Sequence, residues 1–156
     1  MTNFSQIQQT LQKKQQTLLE FEQATQQMLS CPAEQLEELV AERQRLLAKI
    51  DGLERELGAL CQEDPDREQL LSAIAGQADA GSFPEPLQLL YEEGIKIRTV
   101  FSRLRQSDQQ AQLRLKTEQA QILKHIKQMN QGANAKAARF YSGAGAGDGR
   151  SRLGNA

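Results

Sequence analysis

The chain contains no tryptophan, one histidine, two cysteines and four prolines in 156 residues. Aromatic residues make up 4% of it and hydrophobic residues 38%. That is too little bulky side chain for a thick globular core, but enough for narrow apolar stripes along helices. The lone His125 has no second histidine at helical spacing, so no zinc motif can be assembled around it. Cys31 and Cys61 fall at opposite ends of one expected helix, roughly 40 Å apart at ~1.5 Å per residue. A disulfide needs Cα atoms within about 7 Å, which excludes a bridge within the chain, and a two-cysteine metal site with it.

Long apolar runs are also missing. None approaches the roughly 20 residues that span a bilayer, so membrane insertion is not expected. The stretch Met1 to Ile7 has neither a basic lead nor an apolar signal core, which makes the cytoplasm the expected compartment. Charge of one sign is not in excess: the formal net charge is −1, divided as −3 over residues 1–62, −1 over 63–131 and +3 over 132–156. Nucleic-acid binding calls for a clustered basic face and is not expected here. Lys136, Arg139, Arg150 and Arg152, set against Asp148, read as a solvated tail.

No catalytic constellation is visible. Neither cysteine has a neighbouring histidine as base. The Gly-Ala-Gly-Ala-Gly run at 143–147 follows no strand and lacks the Gly-Lys-Ser/Thr ending of a phosphate loop. The pairs Glu37–Glu38 and Glu92–Glu93 are adjacent along helices, point in different directions and are expected to be solvated. The chain is thus expected to be no enzyme, with no metal and no cofactor.

What the chain has in abundance is helix former. Nine glutamines fall in the first 29 residues, and Gln, Glu, Lys, Arg, Leu and Ala keep much of their rotamer freedom in a helix. A first helix is expected from about Asn3 to Leu29, with Phe4, Ile7, Leu11, Lys14, Leu18, Phe21, Thr25 and Met28 on one stripe; Pro32 ends it. A second, from about Ala33 to Gln62, alternates spacings of three and four through Leu36, Leu39, Arg43, Leu46, Ile50, Leu53, Leu57 and Leu60, the pattern of a coiled-coil contact. Asp64-Pro65-Asp66-Arg67-Glu68 resembles a helix start, and one or two turns follow through Ile74. Residues 76–86 read as a loop, docked by Phe83.

A third long helix is expected from about Glu85 to Gln131, with Leu87, Leu90, Ile97, Phe101, Leu104, Ala111, Leu115, Ile122, Ile126 and Met129 as its stripe and a slip in period near Asp108. Gly94 sits on its apolar face, where it permits close backbone contact, and Gly132 is the expected C-terminal cap. Six of the 11 glycines fall from 132 onward. The expected fold is therefore all-α: an antiparallel bundle of three long amphipathic helices with coiled-coil-like packing and one short connecting helix over residues 1–132, then a flexible Gly-rich tail over 133–156, disordered from 142 onward.

A helix of about 47 residues, ~70 Å, exceeds its two partners of ~40 Å. One of its ends then lacks internal cover: Ile122, Ile126 and Met129, or Leu87 and Leu90 at the other end. A half-covered apolar stripe is a groove for a partner helix. Ile122, Ile126 and Met129, beside Phe140 and Tyr141, are the candidate partner-binding residues.

The segment Leu39 to Glu54, with Glu42-Arg43 followed by Leu46-Leu47 and then Leu53-Glu54, resembles the second helix of the FlgN and FliT families of small flagellar export chaperones. The ending Ile126 to Gly132, then Phe140-Tyr141-Ser142-Gly143, is similar to the close of their last helix and its Tyr-then-Gly tail. The likeness covers helix order and length over most of the chain. It departs at residues 63–86, a longer, acidic connection, which leaves FlgN-type and FliT-type open. The resemblance implies a cytoplasmic chaperone that binds the terminal helix of a secreted flagellar subunit by helix–helix contact. FlgN-type members serve hook–filament junction proteins, and FliT-type members serve the filament cap. Two other readings stay open: a structural coiled coil or secretion-apparatus component, which includes a homodimer, and a regulatory helical binding module.

Overall fold

The computed structural model describes residues 3–77 and 83–143, the stretch 133–143 as backbone only. It holds four α-helices: α1 (Phe4–Ser30), α2 (Leu36–Cys61), α3 (Arg67–Ile74) and α4 (Leu87–Gly143). No strand occurs among the described residues. Three helices are long and one is short, as the periodicity predicts. The expected start of α2 is shifted, because Ala33–Gln35 form a 3-10 turn before it. Pro32 does end α1: Cys31 before it is extended, with ψ 159°, while its N–H still bonds Gln27 O.

The chain comprises two compact units, Met1–Arg114 and Leu115–Ala156. In the first, α1 and α2 run antiparallel, since Thr10 reaches Glu56 at 3.3 Å, Lys14 reaches Glu54 at 3.2 Å, and Met28 Sδ meets Arg43 at 3.3 Å. The first part of α4 runs alongside α1 in the same direction: Glu22 pairs with Arg103 and Gln26 with Ser107. Ile7, Leu11, Leu18 and Phe21 of α1 share one core with Leu46, Ile50 and Leu57 of α2 and Leu90, Ile97 and Leu104 of α4. Burying each such side chain is worth about 1.5–3 kcal/mol.

The apolar stripe of α4 differs from the expected one. Its buried positions Leu90, Ile97, Leu104 and Ala111 recur every seven residues, and Glu93, Val100 and Ser107 form the companion row. The period therefore holds through Asp108, because Ser107 occupies the place of an apolar residue. Phe101 falls just off both rows and is 45% exposed instead of core. Glu93, expected to be solvated, is buried because it stands on the inward row beside Gly94; Lys96 Nζ lies 3.6 Å from one of its oxygens. Leu87 and Leu90 are both core, which removes them as an uncovered end.

Gly94 allows α3 to come close. A Cβ there would stand 2.4 Å from Ile74 O and 2.7 Å from Ala73 O. α3 itself stops at Gly76, whose φ of 65° suits glycine, with Gly76 N–H bonding Ala73 O and Gln77 N–H bonding Ser72 O. Phe83 packs against the core, its ring 5.5 Å from that of Tyr91.

The expected cap at Gly132 is not where α4 ends, since the helix continues to Gly143. Four alanines between 133 and 138 favour helix strongly enough to offset a single mid-helix glycine, which costs about 1 kcal/mol. The expected flexible tail begins at 133, but 133–143 belong to α4; the remainder of it lies outside the described residues.

Candidate protein-binding surfaces

In the second unit, the described side chains of α4 carry a row of exposed apolar residues. Ile122 is 57% exposed, Ile126 47% and Met129 60%. At spacings of four and three they lie on one side of the helix. Leu123, 67% exposed and three residues before Ile126, widens the row; the sequence reading passes over it because Ile122 beside it already fills that turn of the stripe. Of the five candidate residues, these three share one surface. The side chains of Phe140 and Tyr141 lie outside those described. Soluble proteins rarely leave contiguous large apolar patches open without a use for them.

The charge around this row is one-sided. Between Lys96 and Gly132 stand eight basic residues against two acidic ones, Asp108 and Glu118, whereas the 95 residues before them hold seven basic against seventeen acidic. Lys116, Lys124 and Lys127 are exposed within the second unit. Residues 63–131 join an acidic connection to a basic helix, so their near-neutral sum spans this step.

A second surface lies within the first unit. An open groove of about 840 Å³ runs between α2 and α4. Phe21 and Leu104 form its buried apolar part, while Leu47 and Phe101 stand 47% and 45% exposed at its sides. Arg43 enters it from α2: its guanidinium lies 4.6 Å from the centre of the Phe21 ring and pairs with Asp108 of α4. Arg98 and Arg105, both exposed, line the α4 side.

Neighbouring ion pairs hold these helices in place. Arg103 meets Glu22 through two 3.0 Å bonds, which raise the guanidinium pKa. Arg114 donates to Met28 O at 2.8 Å and to Cys31 O, closing the C-terminal carbonyls of α1 from a neighbouring helix. Both cysteines are free thiols. Burial pushes the Cys61 thiol pKa up. His125 is exposed. Among the described residues no cluster of His, Cys, Asp and Glu could hold a metal ion, and no helix is long and apolar enough to cross a membrane.

These surfaces offer shape, apolar area and charge for binding a polypeptide. Comparison with family models, with curated proteins and with solved structures gave no match.

Proposed function

We propose that this protein is a cytoplasmic export chaperone of the flagellar kind, which takes up the amphipathic terminal helix of a secreted subunit and keeps it soluble. The observation that carries this reading is the open apolar row Ile122, Leu123, Ile126 and Met129 on a regular helix. An amphipathic helix packs its own apolar face on such a row through anchors spaced three, four and seven residues apart. The partner is then shielded from aggregation by the area the two helices bury together. The likeness of Leu39–Glu54 and of the 126–143 segment to FlgN and FliT chaperones supplies the class of partner: a hook–filament junction protein or the filament cap. The chemistry required is binding and release, with no bond made or broken.

A calorimetric titration of the full chain with synthetic terminal-helix peptides from junction and cap proteins tests this. Saturable binding to one of them supports the reading and assigns the type. Binding to neither sinks it. A stable dimer in sedimentation that buries the row would favour the structural coiled-coil reading.

A further inference from the structure

The groove between α2 and α4 shares no lining residue with the row at Ile122 and has a different build. Arg43 and Leu47 of α2 line one side, Phe21 of α1 contributes to its depth, and α4 lines it from Arg98 to Gln112, about 21 Å at 1.5 Å per residue. A channel of that form between two helices accepts a third helix and so completes a local bundle. Its apolar content is placed for such a guest: Phe21 and Leu104 at depth, Leu47 and Phe101 half-open on opposite helices.

Its charge narrows the choice of guest. Arg43 and Asp108 neutralise each other, which leaves Arg98 and Arg105 as the net charge of the lining. They are seven residues apart, so their backbone positions repeat on one edge of α4 about 10.5 Å apart. Arg98 spends one N–H on Gly76 O at 3.0 Å and keeps the rest of its five donors for other partners. In addition, Arg43 Nε is buried with no acceptor among the described residues.

We propose that this groove binds an acidic amphipathic helix of a partner protein. Its apolar residues, three and four apart, would lie between Leu47 and Phe101, and its carboxylates, one heptad apart, would face Arg98 and Arg105. A second copy of this chain is a poor guest. The exposed apolar row it would offer, at Ile122 to Met129, is flanked by Lys116, Lys124 and Lys127, and like charges brought together oppose docking. An anionic lipid surface is a poor fit too, because interfacial binding needs a projecting apolar face and this surface is concave.

Two synthetic peptides about five helical turns long, with the same leucine stripe flanked by Glu in one and Lys in the other, serve as probes for fluorescence anisotropy. The full chain should bind the Glu peptide at least about tenfold more tightly than the Lys peptide, with the difference shrinking at high salt. Arg98→Glu with Arg105→Glu should reverse that preference. Arg105→Glu alone, which leaves the Gly76 contact intact, should abolish it, and Phe101→Ala should weaken the Glu peptide.

Ile122→Lys with Ile126→Lys, which disables the row assigned to the secreted subunit, should leave in place the share of Glu-peptide binding that Arg105→Glu removes. Equal binding of the two peptides overturns the proposal, as does a preference indifferent to Arg105 or lost only in the Ile122/Ile126 variant. A dimer that Arg98→Glu/Arg105→Glu dissolves, or sedimentation with phosphatidylserine vesicles that the same change abolishes, would give the groove to another occupant and overturn it equally.

Discussion

Arg43 and Asp108, 65 residues apart in sequence, form an ion pair between α2 and α4 at a point where both helices present a polar group to a largely apolar contact. Arg43 holds the place in the α2 row that leucine or isoleucine holds elsewhere. Its side chain is only 13% exposed, with one face on the Phe21 ring and one N–H on Met28 Sδ. Such an arrangement is expected to be asymmetric under mutation. Asp108→Ala leaves the buried guanidinium unpaired and should cost about 1–3 kcal/mol. Arg43→Met removes the charge and keeps the packing, so it should be near neutral. Urea denaturation of the two variants and their double mutant checks this; equal losses from both single changes would contradict it.

Glycines provide an internal contrast. At Gly94 a methyl group would run into two backbone carbonyls of α3, so Gly94→Ala should destabilise by about 1–3 kcal/mol despite the gain in helix propensity. Gly52 and Gly58 have open space at the same position. Gly52→Ala and Gly58→Ala should each stabilise by about 0.5–1 kcal/mol. Thermal melts of the three variants give the signs, and a stabilised Gly94→Ala would mean that α3 does not pack there.

Away from the Arg43–Asp108 pair, the core row of α2 should tolerate no unpaired charge. Leu46 and Ile50 are 1% and 4% exposed, and an uncompensated carboxylate at either site costs several kcal/mol of a total near 5–15 kcal/mol. Leu46→Asp or Ile50→Asp should abolish the cooperative helical melt seen by circular dichroism. A wild-type melt for either would place this row in solvent.

The two thiols should differ in reactivity. Cys61 is fully buried and its pKa is raised above the ordinary 9.0, chiefly by burial, with Asp64 adding to the effect. Iodoacetamide at neutral pH should therefore label Cys31 and spare Cys61 until the protein is unfolded. The sign for stability follows: the folded state favours the neutral thiol, so this contribution is intact below pH 9 and is lost as pH rises through the raised value. Mass spectrometry of the alkylated chain decides it, and equal labelling would contradict the burial.

Most of the helix inventory was readable in the sequence, because alternation of three and four is a direct imprint of one-sided burial. The α2 row was legible at Leu36, Leu46, Ile50, Leu53 and Leu57, while Leu39 and Leu60 are only half-buried and Cys61 takes the last inward place; Gly94 could be assigned to a close approach before any neighbour was known. The misplacements share a cause. Glu93 and Ser107 are polar residues on the inward row of α4, so a search for apolar periodicity passes over them, takes Phe101 for core and sets the change of frame near Asp108, although the buried rows run on to Ala111. Gly132 was misread because glycine is weighed as a stop signal, while the alanines after it favour continuation. The exposed row was legible for Ile122, Ile126 and Met129. The α2–α4 groove was not, since Leu47 and Arg98 come together only when helices 50 residues apart in sequence are packed.

The proposed function is tested most directly at that exposed row, by titrating Ile122→Lys/Ile126→Lys against the terminal-helix peptide that wild type binds while its thermal melt is recorded in parallel. Both isoleucines are about half exposed. The fold should therefore change by no more than about 0.5 kcal/mol per site, while binding should weaken by at least about tenfold, as expected when two apolar anchors become charged. Unchanged binding together with a lowered melting temperature would contradict the proposal, because the row would then serve the fold and the partner would bind elsewhere.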